Sequence, residues 1–114
     1  MPNPNKKRGS AFELAVRRFL LDHDIDAYKP AEQGLSDSGD IHGVTPFVVQ
    51  AKDWQNVTSA INAALAGVAR QKKYAGETYG AAIVARAGRP AREAYVVLSM
   101  EDFVDIVHEL RELP

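Results

Sequence analysis

Between Asp37 and Asp53 the chain reads DSGDIHGVTPFVVQAKD, and three side-chain types in it could do chemistry together. Asp40 enters a short apolar segment, and a second apolar segment, Phe47 to Val49, ends in Gln50-Ala51-Lys52. Successive side chains on a strand alternate faces, so Gln50 and Lys52 project to one side and Ala51 to the other. A carboxylate, an amide oxygen and an ammonium at adjacent strand ends form a place where a divalent metal and a phosphate could meet.

Each of these residues also has a plainer reading. Asp40 fits a turn-forming aspartate whose carboxylate bonds neighbouring backbone amides, which spares it the cost of burial without a partner. Lys52 fits a strand-end lysine that lays its stem on apolar surface and keeps its charge in water. Gln50 fits an ordinary polar residue near a strand end. Glu13 is accounted for by a capping box, in which Ser10 accepts from the Glu13 amide and the Glu13 carboxylate reaches back. His42 has no second His or Cys near it in sequence, so it reads as packing or bonding locally rather than ligating metal.

Positioning these groups requires elements on both sides of the stretch. After a Pro/Asn/Lys arm at 1–9, which reads as mobile, a helix is expected from Ser10 to about Asp22 with Phe12, Ala15, Val16, Phe19 and Leu20 on one face. Ile25 to Lys29 reads as a strand that stops near Pro30, and 31–39 as a polar, turn-rich loop. Asp40 to Val44 and Phe47 to Lys52 form a hairpin through Thr45-Pro46. Asn56 is the expected N-cap of a long alanine-rich helix to Lys73 or Tyr74, packed close to a sheet. Strands at 79–85 and 94–98 follow, joined by a basic loop, and Ser99 to Asp102 opens a final acidic helix with a second capping-box pattern. The order is α-β-β-β-α-β-β-α, a mixed sheet with helices packed on it.

With 114 residues and 46% hydrophobic content, the chain is expected to be one globular domain over 10–114. It has no cysteine, which excludes disulfides and cysteine-ligated zinc. No apolar run approaches the roughly 20 residues that span a bilayer, and the polar start lacks a signal-peptide core, so a soluble cytoplasmic protein is expected. The formal net charge is -1, but the distribution is uneven. From Glu101 onward five acidic residues face one basic residue, leaving thirteen basic against ten acidic in the first hundred. The basic residues cluster at 6–8, 17–18, 70–73 and 86–92. Such clusters suit phosphate, and equally suit a solvated face.

Taken jointly, an early-helix Glu, a strand-start Asp and Gln-x-Lys ten residues later resemble the PD-(D/E)XK nuclease superfamily, and within it the archaeal-type Holliday-junction resolvases. The likeness runs over nearly the whole chain. It rests on Arg8-Gly9-Ser10-Ala11-Phe12-Glu13 opening the first helix and on Ser36 four residues before Asp40. It continues through Gln50-Ala51-Lys52 ending an apolar strand, Gln71 late in the next helix, and a closing strand and helix.

The resemblance implies a restriction-endonuclease-like core and a bacterial or phage enzyme that cuts branched DNA as a homodimer, nicking two strands of a four-way junction symmetrically. It implies Mg²⁺, with Mn²⁺ able to substitute and no small-molecule cofactor. Glu13, Asp40 and Gln50 would surround the metal, and Lys52 would position the attacking water and stabilise charge on the scissile phosphate. DNA contacts are implied for Lys6, Lys7 and Arg8 on the arm, Lys29 near the end of the first strand, and Ser36 and Ser38 on the loop. Arg70, Gln71 and Lys72 would line the DNA path from the helix. Gln50 departs from the family, which carries Glu or Asp there. Two further expectations follow: a nuclease of the same fold acting on flaps, forks or linear ends, or a non-catalytic nucleic-acid-binding module.

Overall fold

The strand that ends in Lys52 has a partner on each side, and the rest of the chain is layered on it. The computed structural model describes residues 4–30 and 40–114. In chain order the elements are α1 (Pro4–Asp22), β1 (Asp40–Ile41), β2 (Phe47–Lys52), α2 (Val57–Ala75), β3 (Tyr79–Val84), a single 3-10 turn at Ala91–Glu93, β4 (Tyr95–Val97) and α3 (Met100–Glu112). The strands lie in the order β1-β2-β3-β4. β1 is antiparallel to β2, β2 parallel to β3, and β3 antiparallel to β4. The protein is therefore α/β, with a mixed four-stranded sheet and three helices among the described residues.

Alternation along the strands sorts side chains into two layers. On one face Ile41, Val49, Ala51 and Ala81 are buried with Val16 of α1, and Phe12, Leu20, Phe47 and Ile83 pack against them. On the other face Ala82 and Val84 are buried against Ala60 and Ala64 of α2, flanked by Val57, Ile61, Leu65 and Val97. A glycine on the sheet lets α2 approach closely: a Cβ on Gly80 of β3 would lie 2.6 Å from a Val68 methyl of α2. Asn56 caps α2 as expected, accepting from the Ser59 amide at 2.9 Å, and Gly76 closes it at φ 68°. Ser99 caps α3 in the same way, accepting from the Asp102 amide at 3.0 Å.

Three expectations are corrected. α1 begins at Pro4 rather than Ser10, so Ser10 is a helix-interior residue and cannot form the capping box with Glu13. Proline suits the first helical position because its missing N–H would be unpaired there anyway. Gly9, an interior residue that costs about 1 kcal/mol relative to alanine, is carried through instead of breaking the helix. The strand expected at Ile25 to Lys29 contracts to one antiparallel bridge between Tyr28 and His42, each N–H bonding the other's carbonyl at 2.9 Å. Only Ala27 in that stretch is buried, so little apolar burial holds a longer strand in register. β1 ends at Ile41 rather than Val44, because Gly43 turns the chain at φ 85°, and a Cβ there would sit 2.2 Å from the Asp26 carbonyl oxygen. No helix of the described residues is long and apolar enough to cross a membrane.

Candidate functional site

The hairpin register sets the site. Asp40 and Gln50 are paired residues of β1 and β2, so their side chains rise side by side from the face that α2 covers. Both are almost fully buried, at 2% and 1% exposure. Gln50 Nε2 donates to Asp40 Oδ1 at 2.8 Å, a bond whose acceptor carries the charge and which therefore compensates part of the cost of burying a carboxylate.

Above this pair α2 presents a glycine. A Cβ on Gly67 would lie 2.3 Å from Gln50 Oε1, 2.4 Å from Nε2 and 2.5 Å from Cδ, so the amide occupies the space that a side chain would fill. Gln71 follows one turn later and is buried, which brings it to the same helix face. Gly67 escaped the sequence reading. Its signal was a glycine in the middle of an alanine-rich helix, a substitution that costs helix stability and so calls for a packing reason.

Lys52 lies two residues beyond Gln50 on the same face, at the carboxyl end of β2, and pairs in register with Val84. Its side chain is half-buried, and Nζ stands 5.5 Å from the centroid of the exposed Trp54 ring. A cation over an aromatic face at a partly exposed site is held by about 0.5–1 kcal/mol, enough to orient the ammonium but not to fix it.

Glu13 comes from α1, the helix of the other layer, which also contacts β2. It is 4% exposed, and its Oε1 has no hydrogen-bond partner. One turn later on the same side of α1, the buried Arg17 Nε is likewise unpartnered. The loss of the capping box leaves this buried glutamate without the local role that the sequence offered for it.

Arg8 ties the start of α1 to the end of β2. Its Nε and guanidinium donate to the Asp53 carbonyl at 3.2 and 3.1 Å, and Nε lies 3.5 Å from the Asp53 carboxylate. Both residues are thus engaged with each other immediately beyond Lys52.

The other expected contact residues are spread more widely. Lys7 and Lys29 are exposed, on the first turns of α1 and just after the Tyr28 bridge, and Lys6 lies on the same first turns. Arg70 is exposed on α2. Lys72 is held by a buried acid, its Nζ 3.3 Å from Asp102 Oδ1, while Asp102 Oδ2 accepts from the Gly80 amide at 2.9 Å. Ser36 and Ser38 lie outside the described residues. His42 bonds and packs locally, its ring 5.7 Å from that of Tyr28 in an edge-to-face contact.

At the opposite end of β3 the Tyr79 hydroxyl donates to the Glu109 carboxylate. That bond, burial, and the negative charge of Glu109, Asp105 and Asp102 together push the Tyr79 pKa up from 10.0 to about 12.

The donor set at the hairpin is the Asp40 carboxylate bonded to the Gln50 amide; Glu13 lies on α1, in the layer packed on the other face of the sheet, and is not brought to that pair. Among the described residues no three His, Cys, Asp or Glu side chains gather to hold a metal ion. The oxygens of Asp40 and Gln50 fit a hard divalent cation in kind, because Mg²⁺ needs only one or two carboxylates and completes its shell with water and phosphate. No protein-family model, no curated protein and no solved structure matches the chain.

Proposed function

We propose that this chain is a Mg²⁺-dependent, structure-selective DNA endonuclease with a restriction-endonuclease-like core, which resolves four-way junctions by phosphodiester hydrolysis. One observation carries the proposal: hairpin register pairs buried Asp40 with Gln50 and places Lys52 on the same face two residues on. A carboxylate is costly to bury, and a turn-forming aspartate would have stayed at the surface. Asp40 and the Gln50 amide oxygen would hold the metal, whose contribution would be to polarise a phosphoryl oxygen and acidify a bound water.

The remaining roles belong to the chain. Lys52 sets a compact positive charge at the end of β2, where it stabilises the charge that develops on the phosphate. Trp54 beneath its ammonium limits where that charge can go. Gly67 keeps the amide of Gln50 against Asp40 by leaving it room. Symmetrical cutting of a junction takes two copies of the chain.

Purified protein incubated with a labelled four-way junction and Mg²⁺ tests this directly. Nicking is expected, falling by at least about 10²-fold in both Asp40→Asn and Lys52→Ala. Linear duplex and flap substrates run beside it separate a junction preference from a broader nuclease. Nicking that survives both changes, or none at all, ends the catalytic proposal.

A second reading has its own observation. Gln50 turns a neutral donor, Nε2, toward Asp40, so the acid already has a partner without a cation. A binding module that carries no metal predicts junction affinity that is indifferent to Mg²⁺ and to Asp40→Asn.

A further inference from the structure

We propose that the outer edge formed by β4 and α3 is the surface on which two copies of this chain pair, with their β4 strands antiparallel about a two-fold axis. Among the described residues β4 is the last strand of the sheet, and its Tyr95 and Val96, on opposite faces of it, are 45% and 63% exposed. An edge strand with apolar side chains and unpaired backbone groups is a template for another strand, and proteins ordinarily blunt or cover such an edge.

α3 prolongs the same edge. β4 pairs antiparallel with β3, and where the ladder would continue, Asp102 of α3 takes the Gly80 amide instead. With Asp102, Ile106 and Glu109 turned inward, Met100, Phe103, Val104, Val107 and Leu110 fall on another side of the helix at spacings of three and four. Met100, Phe103 and Leu110 are 75%, 51% and 64% exposed. An amphipathic helix whose second apolar stripe faces water, beside an apolar strand edge, marks an association surface.

Charge selects the occupant and its direction. The connection entering β4 carries Arg86, Arg89 and Arg92, and the helix leaving it carries Glu101 and Asp105. Arg86 is stacked over Tyr95 and Arg89 pairs with Glu93, which leaves Arg92 exposed at the entering end. Antiparallel pairing of two β4 strands sets the basic end of each copy beside the acidic end of the other. Parallel pairing would set like charges together. The edge is thus complementary to itself under a two-fold, as an isologous interface requires.

The test is the oligomeric state of the full chain without DNA, by sedimentation equilibrium. A dimer is expected, and Val96→Glu and Phe103→Glu, both at exposed positions, are expected to raise its dissociation constant at least about 10-fold with an unchanged far-UV circular dichroism spectrum. Arg92→Glu and Glu101→Arg should each weaken the dimer, and combining them should restore it. A monomer at ~0.1 mM, or a dimer unmoved by both apolar changes, overturns the interface. Charge changes that merely add overturn the antiparallel arrangement, and a complex formed only with a different protein overturns self-association. The interface deepens the junction-cutting proposal by naming how its two copies meet, yet the failures are separable. A monomer that nicks junctions refutes the interface alone, and a dimer that never nicks refutes the activity alone.

Discussion

Gln50 is the residue on which the chemistry turns. Its amide is enclosed by Asp40 on the sheet and by the notch of Gly67 on α2, so an exchange for glutamate changes charge with little change in shape. Gln50→Glu would place two carboxylates where one is now satisfied by a neutral donor, and one of them must hold its proton or gain a cation. Raising a carboxyl pKa on folding gives stability that is present at low pH and lost as pH rises through the folded value. Without metal, Gln50→Glu is therefore expected to be less stable near neutral pH than wild type by at least ~1 kcal/mol, a fall of roughly 4–8 °C in Tm, and to recover toward acid pH. Millimolar Mg²⁺ is expected to reverse the loss at neutral pH, since a ligand that binds only the folded state stabilises it. Melting curves with and without Mg²⁺ check this, and a variant unaffected by the metal would show that no cation enters between Asp40 and residue 50.

At the level of elements, α3 is held to the sheet by polar links rather than by a large apolar face. Asp102 satisfies the Gly80 amide and Lys72 at its first turn, and Glu109 accepts from Tyr79 nearer its end. The Tyr79 link makes the attachment sensitive to base. Its hydroxyl titrates at about 12 in the folded chain against 10.0 for an unperturbed tyrosine, so the folded state keeps the proton longer than the unfolded state does. That contribution is whole below pH 10 and is lost as pH rises toward 12. Denaturant unfolding at a series of pH values is expected to show wild type losing stability from pH 10 upward more steeply than Tyr79→Phe, which has no proton to give up. Parallel curves for the two proteins would mean that the hydroxyl does not carry the link.

Across the whole molecule, the sum of charge says little about partners, because acid is concentrated in α3 and base elsewhere. Contacts to phosphate release counterions, so junction affinity is expected to fall steeply between roughly 50 and 200 mM salt. Removing one phosphate contact should reduce the slope by about 1 and weaken all junction sequences alike. Lys29→Ala is expected to behave so, since Lys29 is exposed on the described chain. Lys72→Ala is expected instead to lower stability while leaving the salt slope unchanged, because its ammonium is committed to buried Asp102. Filter-binding titrations over that salt range, with an unfolding curve for each variant, separate the two outcomes.

Local chemistry made much of this legible from the residues alone. The strand at 47–52, the Asn56 and Ser99 caps and the amphipathic helices depend on neighbours within a few positions, and side-chain period and capping geometry are local properties. The pairing of Asp40 with Gln50 was half visible: a hairpin was expected, and alternation placed Gln50 and Lys52 on one face, but the register that opposes Asp40 to Gln50 rests on contacts between segments. Tertiary structure alone decided three further points. α1 runs through Gly9 and denies Glu13 its cap, because helix cooperativity and the Arg8 link to Asp53 outweigh one glycine. The strand at 25–29 shrinks to the Tyr28 bridge, because too little of it is buried. Gly67 becomes the notch for Gln50, because only the packing of α2 on β2 brings two residues so far apart in sequence into contact. Sequence determines what each segment can do by itself, and packing decides which of those possibilities meet.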